Sequence, residues 1–172
     1  MRVESIKVSA CRGAFDRNTY DVNLVQWLED CRPNWFVNDR HDKQQLPAIM
    51  PHGVFVNRRA DSFVAHSGLV QIDIDTKDQA DGWTPNDSLV AIADLECTVC
   101  CGLSASGKGI WALVAVEGIN ADNHRVKAGQ AVSYIRDMTG DELDVVVSHS
   151  LASIRFASHD VPFINYDVTP LS

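Results

Sequence analysis

Long apolar runs are missing from this chain. None approaches the ~20 residues that a helix needs to cross a bilayer, which excludes a membrane-spanning helix. The opening MRVESIKVSACRGAFD lacks the apolar stretch of a secretory signal, and the expectation is a cytoplasmic protein or a piece of a longer one. Positive charge is scarce: 15 Lys and Arg stand against 23 Asp and Glu, for a formal charge of −8. Phosphate contacts need cations, so this balance argues against a free-standing, high-affinity nucleic-acid binder. It leaves room for a local site, because carboxylates that hold Mg2+ themselves add to the negative count. A second pair of zinc ligands is also absent. Cys97, Cys100 and Cys101 cluster in ECTVCCG, but Cys11 and Cys31 are isolated and no H-x-x-x-H occurs. Cysteine is among the most buried residue types, so ECTVCCG reads as a buried strand. Repeats, low-complexity tracts and long linkers are lacking as well. The 172 residues read as one domain large enough for a real core.

What is present alternates between strand and helix signals. RVESIKVSA reads as an opening strand, and residues 20–31, YDVNLVQWLEDC, as a helix ending before Pro33. Residues 38–62 are polar and turn-rich, with Pro47, Pro51 and Gly53. HSGLVQIDIDTKD holds a short strand that opens at a glycine. Residues 85–96 read as a helix with Pro85 and Asp87 near its start. CTVCCGLSAS and GIWALVAVEG read as strands, NADNHRVKAGQAVSYIRDMTG as a helix stopped at Gly140, and LDVVVS and ASIRFAS as two further strands. The pattern predicts an α/β or α+β sheet with helices on one side.

Two stretches carry chemistry. In GLSASGKGIWALVAVEG, Gly102, Gly107 and Lys108 have the G-x-x-x-x-G-K spacing of an NTP-binding phosphate loop. Such a loop needs Ser or Thr after the lysine and a helix behind it. Gly109 stands at that position and a β-rich run follows, so the phosphate-loop ATPase is rejected. The Ser104, Ser106, Gly107, Lys108, Gly109 turn can still meet a phosphate, through close backbone approach, hydroxyl donors and a point charge; a plain hairpin turn is the alternative. In LVQIDIDTKD, Asp73 and Asp75 lie at i and i+2 near the end of an apolar strand, and so on one face of it. Paired carboxylates there repel unless a cation sits between them, which points to Mg2+ or Mn2+. The alternative is a strand end whose aspartates face water.

Four blocks in order, KQQLPAIMPHGVF, HSGLVQIDIDTKD, SASGKGIWALV and IRFASHD, span about residues 43–160. They resemble the primase-like N-terminal domain found with virulence-associated protein E and phage or plasmid primase-helicases, within the archaeo-eukaryotic primase superfamily. The resemblance implies an α+β fold: a primase-polymerase-like mixed sheet with an RRM-like core and flanking helices. It further implies an N-terminal subdomain over about 1–62 and a catalytic one over 63–172. Its hDhD element falls on Ile72-Asp73-Ile74-Asp75, with both aspartates as metal ligands. Its second element falls on the Ser104–Gly109 turn, against the phosphates of the incoming nucleotide. Its third falls on Leu143-Asp144, so that Asp144 completes a carboxylate triad, with Asp141 and Glu142 as competitors. Arg155 in IRFAS is the candidate triphosphate contact. Many superfamily members carry a histidine just after the second-element glycines; Ile110 and Trp111 stand there instead.

The activity so implied is metal-dependent nucleotidyl transfer in DNA replication, with Mg2+ or Mn2+ as cofactor. NTP or dNTP, a single-stranded DNA template and a helicase domain or protein would be the partners, with no membrane. Two other readings stay open: a degenerate primase-like domain that only binds nucleic acid or a helicase, and a metal-dependent phosphohydrolase or nuclease. Lys43, His66, His149, His159, Trp111 and the Arg58-Arg59 pair are secondary candidates, each with an ordinary structural alternative.

Overall fold

The alternation of LVQIDI becomes an edge strand of one of two four-stranded antiparallel sheets. The computed structural model describes residues 1–172. In chain order the elements are β1 (Lys7–Cys11), β2 (Tyr20–Asn23), α1 (Leu24–Asp30), α2 (Arg40–Gln45), β3 (Ala48–Met50), β4 (Gly53–Phe55), β5 (Phe63–His66) and β6 (Leu69–Ile74). Then come α3 (Pro85–Ala93), β7 (Thr98–Leu103), β8 (Ile110–Ala115), α4 (His124–Thr139), α5 (Val145–His149), β9 (Arg155–Phe156) and β10 (Phe163–Ile164). The first sheet has the order β2-β1-β3-β9 and the second β10-β7-β8-β6, while β4 and β5 form a separate hairpin. That hairpin straddles residues 62 and 63, and β9 returns from the C-terminal part of the chain to the first sheet.

The centre of the second sheet is buried on both faces, which is why β8 reads IWALVA without a polar residue. Val70, Ile72 and Ile74 of β6 pack with Ile92 of α3 and Ala128, Val132 and Ile135 of α4. Leu69, Trp111, Leu113 and Ala115 face the other way, against Val8, Ala10 and Ile49 of the first sheet. The result is three layers, sheet on sheet on helices. Cys100 and Cys101 lie buried in β7, and all five cysteines are free thiols.

Several expectations are corrected. Every strand pair is antiparallel, where a mixed sheet was expected; the one parallel link is an isolated bridge, Val116–Leu171. LDVVVS is not a strand: Asp144 accepts the amides of Val146 and Val147 and starts α5, its cap outweighing three β-branched valines. The ASIRFAS strand shrinks to Arg155–Phe156. Residues 20–31 open as β2 and turn helical only after Asn23, whose side chain caps α1. The turn-rich 38–62 stretch contains α2, capped by Asp39, together with β3 and β4. The opening stretch begins as a 3-10 turn at Val3–Ser5 and becomes strand only at Lys7. At Gly140 the φ of +76° ends α4, as its glycine led us to expect.

Candidate active site

β6 delivers Asp73 and Asp75 to the face that looks toward the first sheet. Asp73 lies opposite Trp111 of β8, and Asp75 follows the last pair, Ile74–Ile110. Burial pushes the Asp73 carboxyl up to about 6. The positive charges of Arg155 and Lys43 act against that rise, while Asp75 and Asp144 add to it. One half-buried carboxylate therefore feels both other members of the proposed triad and two cations. Asp75 is more open, and Lys77 meets its Oδ2 at 2.8 Å.

Asp144 is tied to the same strand by its backbone, whose amide donates to the Asp73 carbonyl at 3.0 Å. Its own carboxylate is occupied at the start of α5, accepting from Val146 at 2.9 Å and Val147 at 3.3 Å. Its competitors are placed elsewhere. Buried Asp141 accepts from Trp83 Nε1 at 2.8 Å and Ser88 Oγ at 2.9 Å, joining α3 to the end of α4. Glu142 is exposed beside Arg136. No three His, Cys, Asp or Glu side chains close into a cluster tight enough to enclose an ion; Asp73 and Asp75 stand as a pair with Asp144 in their neighbourhood. A half-buried carboxylate whose charge is this costly, with a second on the same face, is a donor set that could hold a hard divalent cation.

Arg155 enters from the first sheet, where β9 pairs it with Ile49. It is 6% exposed, and its guanidinium lies 4.2 Å above the Trp111 ring. One Nη donates to Ser158 Oγ at 2.9 Å, whereas Nε is buried with no partner. Burial pulls its pKa down to about 9 against the opposing pull of Asp73. Trp111 thus supports an arginine; its Nε1 donates to Leu103 O at 3.0 Å. Lys43 of α2 approaches from the same side, 5.8 Å above the Phe156 ring.

The Ser104–Gly109 turn sits at the end of the β7–β8 hairpin and divides in two. Ser106, Lys108 and Gly109 line an open depression of about 410 Å3 together with Asp75, Thr76 and Lys77. Gly109 lies so close to β6 that a Cβ there would stand 2.5 Å from the Ile74 carbonyl. Ser104 and Gly107 do not line the depression. Ser104 Oγ accepts the Gly109 amide at 3.1 Å, and Gly107, at φ +72°, lies under the Phe36 ring. The Val37 amide donates to Ala105 O at 2.7 Å, so the segment around Phe36 is strapped across the turn, a contact that sequence reasoning missed. His159 joins that strap, bonding Pro33 O at 3.0 Å and meeting Phe36 edge-on.

A second polar cluster lies behind Asp73 and was also missed. His124 Nε2 faces Ser148 O at 3.0 Å, and a carbonyl only accepts, so this nitrogen carries the proton. His124 Nδ1 therefore accepts from His66 Nε2 at 3.0 Å, and His66 Nδ1 accepts the Gly68 amide. By the same logic His52 donates from Nδ1 to Ser150 O and accepts the Gln71 amide of β6 at Nε2, both at 3.0 Å. Ser148 Oγ donates to Gln71 O at 2.7 Å. Burial, then the neighbouring imidazoles, pull His52 down to about 3 and His66 to about 4; burial lowers His124 too. His66 is thus a link in a neutral chain that seats α5 rather than a partner of the aspartates. His149, on α5, keeps a buried Nε2 without a partner.

A three-layer α+β fold with two carboxylates and a buried arginine at the mouth between its sheets is the class so defined. Residues 41–160 match the BT4734-like, N-terminal domain family, and the chain belongs to it. No curated protein and no solved structure matches the chain. No helix is long and apolar enough to cross a membrane.

Proposed function

We propose that the chain is a nucleotidyltransferase domain of the primase-polymerase type, taking an NTP or dNTP and a single-stranded template with Mg2+ or Mn2+ as cofactor. The observation that carries this reading is the convergence on Asp73 of Asp75, Asp144, Lys43 and the buried, under-partnered Arg155. Asp73 and Asp75 would hold the metal, which when bound supplies charge neutralisation for an attacking hydroxyl and a leaving pyrophosphate. The chain's own part is positioning. Arg155 presents a rigid guanidinium held on Trp111, its buried Nε–H without a partner inside the protein. Ser106 and Lys108 offer a hydroxyl and a charge beside Asp75, and Gly109 lets the turn pack against the end of β6. A helicase domain or protein would deliver the template.

The test is extension of a primed single-stranded template with labelled dNTPs and rNTPs in Mn2+ or Mg2+. Growth in the wild type and none in Asp73→Ala/Asp75→Ala is expected. Substrate loss without growth would instead indicate a phosphohydrolase or nuclease. One observation favours a second reading, a domain that binds without catalysis: the carboxylate of Asp144 is already engaged in the cap of α5. A folded wild type that binds neither Mn2+ nor nucleotide would decide for it.

A further inference from the structure

The acidic charge of this chain is unevenly spread. Residues 1–62 carry nine Lys and Arg against eight Asp and Glu; residues 63–172 carry six against fifteen. Two of the nine, Arg17 and Arg58, line one notch, with Arg12 on the same loop as Arg17. Arg12 and Arg17 lie between β1 and β2, and Arg58 follows β4. An Asn18–Asn57 bridge joins the two loops, and the Arg58 amide donates to Arg17 O at 3.1 Å. None of the three guanidiniums is ion-paired, whereas Arg59 is engaged by Asp61 at 2.5 Å. Phe15, 72% exposed, shares that notch with Arg17 and Arg58. Ala14, Phe15, Arg17 and Arg58 line a notch of about 270 Å3.

The notch is fixed relative to the Asp73 cleft. The Ala14 amide donates to Gln44 O of α2 at 2.8 Å, and Gly13 packs so tightly there that a Cβ would stand 2.9 Å from that carbonyl. Lys43, one residue earlier, is among the cations that act on Asp73. Unpaired guanidiniums around an exposed ring, joined by one helix to a site for phosphate chemistry, match a strand that offers phosphates and bases in alternation. A duplex hides its base faces, and a lone phosphate makes no use of the ring.

We propose that this notch binds single-stranded nucleic acid, with Arg17 and Arg58 on successive phosphates and a base stacked on Phe15. The strand then crosses α2 past Lys43 toward the cleft; that direction, though not the binding itself, rests on the nucleotidyltransferase reading. Stacking accepts any base, so binding is independent of sequence.

The test is anisotropy of a labelled single-stranded oligonucleotide of about 12 nucleotides across a salt series. Arg17→Gln/Arg58→Gln should flatten the log–log salt dependence by about 1.4, at ~0.7 for each phosphate that is no longer neutralised. Phe15→Ala should weaken binding about tenfold with the slope unchanged, and that difference should vanish on an abasic oligonucleotide. The proposal is overturned if the wild type does not bind, or if the variants bind like it. It is equally overturned if polyglutamate or inorganic pyrophosphate competes as strongly as the oligonucleotide, since the notch would then take an acidic polypeptide or a free phosphate. Mn2+ and dNTP titrations of the same proteins separate the two claims. Oligonucleotide binding sensitive to the notch variants, in a wild type that takes up no Mn2+ or dNTP, would sustain the notch and sink the catalytic reading.

Discussion

Two polar clusters flank the same strand and differ in how their hydrogen bonds are met. Around Gln71, the donors and acceptors of His52, His66 and His124 are matched to one another or to backbone. Around Asp73, the Arg155 Nε is unpartnered and the carboxyl sits near 6 because burial makes its charge costly. A network with its bonds satisfied rigidifies a fold, whereas one left short holds its donors ready for a ligand. The difference separates the satisfied part of β6 around Gln71 from the under-partnered end at Asp73.

The comparison breaks if substitutions at the two ends act with the same sign. His52→Ala has the largest expected effect. It strands the Gln71 amide and Ser150 carbonyl and opens a cavity, for a loss of about 3 kcal/mol in denaturant unfolding. Asp73→Asn should do the opposite and add about 2 kcal/mol at pH 7, while removing any Mn2+-dependent rise in the melting temperature. The sign follows from the titration. The folded Asp73 carboxyl, raised from 3.8 to about 6, contributes stability that grows as pH falls through that interval. The histidines run the other way: their contribution is complete above 6.5 and is lost as pH falls toward about 4 for His66 and about 3 for His52. In the wild type Asp73 thus offsets part of the histidines' loss between pH 6 and 4, and Asp73→Asn should lose stability more steeply there, by up to about 1 kcal/mol per pH unit. The smallest stability change is expected from Asp144→Ser, within about 0.5 kcal/mol, because serine also caps a helix. Loss of primer extension in that variant would identify Asp144 as the third carboxylate; retained extension would leave it a cap.

The placement of the two aspartates at the end of β6 was legible and the support behind them was not. Asp73 and Asp75 announce themselves because alternation on a strand is local, and so does the Gly107–Gly109 turn. The caps Asn23, Asp39 and Asp144 are local signals too, but they do not enter the sequence expectation, in which 20–31 is one helix, 38–62 is turns and LDVVVS is a strand. The histidine chain had no local sign: His66 and His124 are 58 positions apart, and only the packing of α4 and α5 on β6 brings them together. The stacking of Arg155 on Trp111 is equally nonlocal, requiring β9 to return to a sheet begun near the N-terminus.

The bonds that His52, Ser148 and the Asp144 amide make with Gln71 and Asp73 have one more effect. β6 is the last strand of its sheet, and these groups occupy its outward amide and carbonyls. An unpaired strand border is a template on which another chain can polymerise. Here that border is sealed over the strand carrying the two aspartates, so self-assembly by strand addition would have to start elsewhere, with the outer border of β2 at Tyr20–Asn23 left open.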